Sequence, residues 1–485
     1  FAAGPPPTPA VVPGAAFDVR VTFVNRSDAT VNDVRLQVEG GEAAGSPPAS
    51  AQSPAAAPNA PVGSTFTVRV PDNARPTRPA FSRRSLHEAR YSVSVPAEAF
   101  APSGPAPFQA IASYTVHGIP LTLRRPVTRF DANPPYGQET RTLTIVPALA
   151  VTLTPAHAIV MPGDRGVKFT AEVLNNRVGP ADGTLALDVP AGWKVSPRSH
   201  SFTFARGGER RPFSFLVHAA GANQREQVVT AVVRSGGREY REGYVTIRHR
   251  DLDTRYLYRD AAASVRSVDV RVPPGLRVGY VMGIGDEVPA GLAQLGADVQ
   301  LLAEPDLATS DLSRFHAILT GTRAYAVRED LRTHNARLLD YARAGGNLIV
   351  LYNTQELVPN TFAPYPGELP RTAEEVSEED SPVDILAPDA AVFTTPNRIT
   401  KADFDGWVEQ RGSKFWTTWD PRYTAMIATW DKGQPPQKGG WLHARYGKGH
   451  YTYFAYALHR QLPYGVPGAY RLLANLLALN APPVP

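Results

Sequence analysis

Over the first 145 residues, strand-like runs of alternating apolar and polar positions are interspersed with Pro, Gly, Ala and Ser. Phe17, Val19, Val21 and Phe23 alternate with small or polar partners, Asn25-Arg26-Ser27-Asp28 reads as a turn, and Val31 to Val38 alternates again. This pattern predicts a hairpin of a β-sandwich. Residues 40–64 are rich in Ala, Pro and Ser and predict a flexible loop, after which residues 66–70 resume the strands. The run PTRPAFSRRS at 76–85 is basic with an aromatic inside it; it reads as a solvated loop, with a binding loop as the alternative.

A second set of alternating segments covers residues 143–248. Pro162-Gly163 precedes Val167, Phe169, Ala171, Val173 and Asn175, much as Pro13-Gly14 precedes Phe17, Val19, Val21, Phe23 and Asn25. One inserted residue brings the two into register, which predicts an internal repeat of an immunoglobulin-like module. Trp193, Phe202, Phe204, Phe213 and Phe215 supply its core aromatics. The Pro-Ala-Gly-Trp turn at 190–193 resembles those of sandwich modules appended to secreted bacterial glycan-active enzymes.

At residue 276 the period changes. Arg277 to Met282 is a short apolar run of the buried parallel type, Gly283 and Gly285 allow a tight turn ending at Asp286, and Val288, Leu292 and Leu295 recur at helical spacing. Gly296 stops that helix and Val299 to Leu302 reads as the next strand, completing a β-α-β unit. Further strands are predicted at 315–320 and 347–352, with a helix over 330–343 between them and a closing helix over 468–479. Ligands of open α/β sheets bind beyond the carboxyl ends of the strands, so the loops carrying Asp286, Arg323, Tyr325 and Asn353 are predicted to face one crevice. This order resembles the class I glutamine amidotransferase-like fold, in which a cysteine nucleophile occupies a sharp strand-to-helix turn. Here that turn is Thr320-Gly321-Thr322-Arg323, with no thiol, Thr322 a nucleophile in principle and no base assignable from spacing. The predicted architecture is therefore multidomain β plus α/β. It comprises a β-sandwich over 1–142, an immunoglobulin-like sandwich over 143–250, a linker over 251–274, and a flavodoxin- or amidotransferase-like α/β domain over 275–485.

Composition narrows the chemistry. There is no cysteine, which excludes disulfides, thiolate zinc sites and a cysteine nucleophile. The net charge of +5 is spread over scattered arginines, which argues against nucleic acid as a partner. No run of about 18 apolar residues is present to form a transmembrane segment. The chain opens on Phe1 without a signal-like segment, and is read as a processed product or a piece of a longer polypeptide. The acidic run EEVSEEDSPVD at 374–384 reads as solvated, its spacing matching no calcium loop. Asp403 and Asp405, followed by Trp407 and Arg411, are paired carboxylates of a kind that act on sugars but more often cap helices or pair with arginine. His459 lies at a strand end and completes the set of candidate ligand-binding residues. The 11 histidines are scattered, and the closest pair considered, His443 and His450, has poor spacing for a metal.

PTRPAF at 76–81, PPYGQETRTLTIVPAL at 134–149, GDEVPAGLAQLGADVQLL at 285–302, GTRAYAVREDL at 321–331, AGGNLIVLYN at 344–353 and FDGWVEQRG at 404–412 together resemble the C-terminal half of large bacterial PIG-L (LmbE-like) deacetylases. The resemblance implies an extracytoplasmic parent whose upstream zinc domain removes acetyl groups from N-acetylglucosamine-type substrates. That domain's His-Pro-Asp-Asp motif is absent from this chain, so zinc is expected only in the missing domain, with no cofactor here. Three readings follow in order of preference. The first is a non-catalytic accessory region that binds carbohydrate or another small ligand and serves its own deacetylase domain, with Trp407, Trp416, Trp419 and Trp441 as sugar-stacking candidates. The second is an active hydrolase or transferase using Thr322, Asp403 or Asp405. The third is a cell-surface structural protein that forms homo-oligomers or polymers.

Overall fold

The computed structural model of the chain describes residues 10–40, 50–79, 81–83, 90–96, 100, 104–132, 135, 137–161, 163, 166–220, 226–249 and 252–481. The chain is multidomain and rich in β-structure, with 45% of residues in strands against 15% in helices. In the N-terminal region the strands Ala16–Val24 and Pro61–Arg69 pair antiparallel. They accompany a four-stranded sheet of Ser50–Ala56, Val31–Gly40, Phe108–Val116 and Ile119–Pro126. The alternation read from the sequence is realised directly: Phe17, Val19 and Val21 are buried while Ala16, Asp18 and Arg20 are exposed. Asn25 closes the following turn, donating to the carbonyls of Ala29 and Ala56 and accepting from Ser27 N. Asn175 makes the same set of bonds, donating to Gly179 and Arg206 and accepting from Arg177 N. The two aligned asparagines thus do one job in both halves of the repeat.

Two expectations are corrected here. The stretch 40–64 is not one flexible loop. Residues 41–49 lie outside the described residues, but Ser50–Ala56 pairs with Val31–Gly40 and Pro61–Arg69 is a full strand. An edge strand of small residues needs only its backbone ladder, and only Ala56 with the half-buried Ala51 reaches the core, so it carried no hydrophobic period to read. The linker over 251–274 is also structured. Leu252–Asp260 forms a long hairpin with Glu242–His249, and Ala262–Ser267 lies between His157–Val160 and Gln227–Ser235 in the middle sheet. Only Ala263 and Val265 of that strand are deeply buried, too little apolar content to announce it.

The hairpin closes a seam between the N-terminal and middle regions. Tyr244 donates to Asn176 Oδ1 at 2.8 Å, Tyr258 donates to Ile145 O, and Arg141 donates to Thr254 Oγ1 at 2.7 Å. Arg78 sits 4.6 Å over the Tyr258 ring and pairs with Glu242. The basic run at 76–85, of which 80, 84 and 85 lie outside the described residues, is exposed at 78, 79 and 81–83, as a solvated loop is, and makes an inter-region contact at Arg78.

The C-terminal region is built on a seven-stranded sheet. Its order is Asp298–Leu301, Arg277–Val281, Ala317–Thr320, Asn347–Leu351, Gly449–Phe454, Trp441–Tyr446 and Thr424–Ala425, the first five parallel and the last two antiparallel. Strands such as Asn347–Leu351 are buried along their whole length, as parallel strands covered on both faces must be. The helix read over 330–343 is divided into Glu329–Thr333 and Asn335–Ala344 at His334. The closing helix Pro467–Ala478 is almost entirely buried. The middle region is tied to this sheet: Gln294 accepts from Ile159 N at 2.9 Å, and Ile159, Val268 and Val270 belong to the C-terminal core.

Candidate functional site

In the parallel sheet the chain's first strand, Arg277–Val281, lies between its second and third, so the winding reverses between Arg277–Val281 and Ala317–Thr320. A crevice is expected at the carboxyl ends of those two strands. The backbone closes it. Ile284 N donates to Thr322 O at 3.1 Å, and a Cβ on Gly283 would stand 1.9 Å from that same oxygen. Only glycine permits this approach.

Asp286 braces the crossing. Its Oδ1 accepts from the Tyr280 hydroxyl at 2.7 Å and from Val288 N at 3.1 Å, and its Oδ2 accepts from Thr322 N at 3.0 Å. Burial, and then the Asp286 charge, hold the Tyr280 hydroxyl far above the ordinary tyrosine value. The Thr322 hydroxyl is buried with no hydrogen-bond partner, so no base is in reach of it.

Beside this crossing, Arg323 adopts a left-handed conformation at φ 53°, ψ 30° and is exposed. Its N–H donates to Tyr352 O at 2.9 Å. Tyr325 is fully buried, donating from N to Asn353 Oδ1 at 2.9 Å and from its hydroxyl to Asn335 Oδ1 at 2.7 Å. Asn353 donates to Leu351 O, so both its ends are committed. His459 stacks against Tyr352 with ring centroids 5.7 Å apart. Burial pushes its imidazole below the ordinary histidine value, and the Asp286 charge opposes that shift. Asp286, Arg323, Tyr325, Asn353 and His459 are thus linked at one end of the sheet, but Asp286, Tyr325 and Asn353 act there as braces.

Asp403, Trp407 and Arg411 have other tasks. Asp403 caps a 3-10 turn through Thr400 N at 2.8 Å and pairs with Arg471 Nε at 2.7 Å. Asp405 beside it is exposed. Trp407 is buried and donates to Asp403 O. Arg411 is buried against the carbonyls of Ser381 and Phe404, and burial lowers the proton affinity of its guanidinium. The sugar-stacking expectation is corrected for three of its four indoles: Trp407, Trp416 and Trp441 are core residues, and Trp419 is half-buried. Large aromatic surface placed inside stabilises the core more than it serves a ligand. In the acidic run, Asp431 accepts from Ser377 N and Glu378 N, each at 2.9 Å, which ties part of that run to the domain. Among the described residues no group of three or more His, Asp or Glu side chains is placed to hold a metal ion.

Sequence reasoning missed two features. One is an open cavity of about 630 Å³ at the end of the edge strand, lined by Met282, Leu302, Glu304, Arg328, Glu329 and Asp330. Arg328 donates there to Met282 O and Leu302 O and chelates Asp330. The other is the contact of His443 with His450. Across the Tyr446-to-Gly449 turn, His443 faces Thr452 and Arg445 faces His450. This brings His450 Nδ1 within 3.1 Å of His443 Nε2. The tight Gly447-Lys448 turn was the signal, since it fixes which residues share a face.

No family model matches the chain, and no curated protein matches it. Solved structures resemble parts of it, two of them as follows. The cold-adapted β-galactosidase of Rahnella sp. R3 matches at 15% identity and TM-score 0.27, over 42% of this chain and 31% of that one. The apo form of the Calx CBD1 domain matches at 12% identity and TM-score 0.16, over 25% of this chain and 98% of that one. The chain spans under a third of the β-galactosidase, and neither likeness carries an assignment.

Proposed function

We propose that this chain is a non-catalytic accessory region of an extracytoplasmic PIG-L (LmbE)-like deacetylase, in which two immunoglobulin-like sandwiches and an amidotransferase-like α/β domain scaffold the enzyme and offer a small-ligand site. The observation that carries the non-catalytic part is the strand-to-helix turn, where both hydroxyls, of Thr320 and Thr322, are buried without a hydrogen-bond partner and an exposed arginine follows. Asp403, spent on a cap and on Arg471, supports the same reading. The hairpin seam at Arg78, Arg141 and Tyr258 and the Gln294 contact support a scaffolding role, because each region is held against the next.

Incubating the purified chain with N-acetylglucosamine oligomers tests this. Saturable binding in calorimetry without acetate release is expected. Acetate release that disappears in Thr322→Ala or Asp403→Asn overturns the non-catalytic part, and absence of binding by any saccharide or anion overturns the ligand-binding part.

One observation favours a second reading, self-association at a cell surface. Ile119, Leu121 and Leu123 lie exposed at alternate positions of the edge strand Ile119–Pro126. Pro120, Pro126 and Arg124 on that strand oppose edge pairing, so a face contact is the form to test. Concentration-dependent mass in sedimentation, reduced in Leu121→Ser, supports it.

A further inference from the structure

We infer that the turn at Arg323 is an oxyanion-binding site, in which the Arg323 guanidinium takes the carboxylate or phosphate of a small ligand whose body rests against the Tyr352–His459 ring pair. This rests on the ligand-binding part of the reading above and adds the charge of the ligand.

The backbone makes the first argument. Gly285, a positive-φ position at the same carboxyl edge, is a glycine, whereas the position at φ 53° in the middle of that edge carries a long charged side chain. A conformation that glycine adopts freely and arginine does not is retained where the side chain has a use. Glu409 and Asn480, also left-handed, have theirs: an ion pair with Arg460, and hydrogen bonds with His450 and Gly345.

The side chain makes the second. Arg328 is saturated by Asp330 and two carbonyls, and Arg332 donates to Tyr325 O. The Arg323 guanidinium, by contrast, makes no hydrogen bond or ion pair with any described residue. Of the acids nearby, none forms an ion pair with it, although the Thr354 hydrogen bond and, after it, the Arg323 charge help hold the Glu356 carboxyl below the ordinary value. Asp286 is engaged by three donors, and Glu356 accepts from Thr354 and Gln355. The planar fork of an uncommitted guanidinium matches a carboxylate or phosphate through two parallel hydrogen bonds.

The surroundings make the third. The Arg323 N–H is bonded to Tyr352 O, and the Tyr352 ring lies 5.7 Å from the His459 ring at a tilt of 35°, so the backbone that carries Arg323 is tied to a ring pair with one imidazole. The ligand is therefore a compact anion with a ring or carbon face, such as an acidic sugar or a sugar phosphate.

The test is calorimetric titration of the full chain with inorganic phosphate, glucuronate and neutral glucose, in the wild type, Arg323→Lys and Arg323→Gly. Arg323→Gly removes the guanidinium and relieves the backbone, so a melting temperature equal to or above the wild type shows that the variant folds. Expected is saturable binding of at least one anion, at least ten-fold tighter than glucose, ten-fold or more weakened in Arg323→Gly and partly retained in Arg323→Lys. Tighter glucuronate identifies a carboxylate ligand, and tighter phosphate a phosphorylated one. Anion affinity unchanged in Arg323→Gly, or no anion binding to the wild type, overturns the site. Binding of neutral N-acetylglucosamine oligomers that survives in Arg323→Gly, together with no anion binding, overturns this inference alone and leaves the broader ligand-binding reading standing.

Discussion

Lowering the pH should unfold the C-terminal region through His443 and His450, and replacing His443 with glutamine should blunt that effect. Arg445 can only donate, so at 2.7 Å from His450 Nε2 it requires a lone pair there. Asn480 Oδ1, 3.1 Å from the same nitrogen, favours a proton, but a neutral acceptor is outweighed by a full charge. The His450 proton then sits on Nδ1 and is donated to His443 Nε2 at 3.1 Å, and His443 donates from Nδ1 to Thr452 Oγ1 at 2.9 Å. A second proton on either ring would face an N–H or the guanidinium. Burial first, then the neighbouring His450 and Arg445, push His443 down to about 3, and burial and Arg445 lower His450 as well. The unfolded chain takes up these protons below about pH 6.5 while the folded chain refuses them, so stability is intact above that pH and falls as the pH drops toward 3. His443 removes up to about 1.4 kcal/mol per pH unit in that window, roughly 2 kcal/mol between pH 6.5 and pH 5, and His450 acts in the same direction. Guanidinium unfolding followed by tryptophan fluorescence reports on this region, because five of the six tryptophans lie between 407 and 441. The loss between pH 7.5 and 5.0 should be about 2 kcal/mol smaller in His443→Gln than in the wild type. Equal losses in the two proteins would refute the reasoning.

Gly283→Ala places a methyl against the Thr322 carbonyl, which the crossing cannot yield, and should cost about 3 kcal/mol or more in the same unfolding assay. Arg78→Ala removes the cation over Tyr258 and should loosen the seam by about 1 kcal/mol, read as faster limited proteolysis between the N-terminal and middle regions. Tyr244→Phe leaves the ring packing and deletes the bond to Asn176, a loss of about 1 kcal/mol measurable as a lower melting temperature.

The β-α-β start at residue 277, the parallel strands and the closing helix were legible because continuous apolar runs separated by glycine turns leave few alternatives. The Asn25 and Asn175 turns were legible for a related reason, since a side-chain amide beside the turn announces its own bonding. Ser50–Ala56 and Ala262–Ser267 were not, because strands held by their neighbours' backbones need little hydrophobic signal. At the candidate site the loops of Asp286, Arg323, Tyr325 and Asn353 meet at one end of the sheet, where the backbone closes the expected crevice, and residue type did not say which side chains were free. Asp286 and Asn353 look like ligand-binding groups in the sequence and serve as braces, while Arg323 looks like any surface arginine until its φ angle is known. His443 and His450, set aside for their spacing, meet because a two-residue turn folds seven positions into one contact.

Ala262–Ser267 belongs to the middle sheet, yet the chain leaves it through Val268 and Val270 straight into the C-terminal core, where Ile159 also lies. A polypeptide begun at residue 275 would leave those three side chains behind and uncover the floor of the α/β sheet. One begun at 262 would take a rung out of the middle sheet. No cut between the two yields two intact halves, so they have to be inherited, shuffled or lost together, and a genome in which either travels alone must have rebuilt the missing wall.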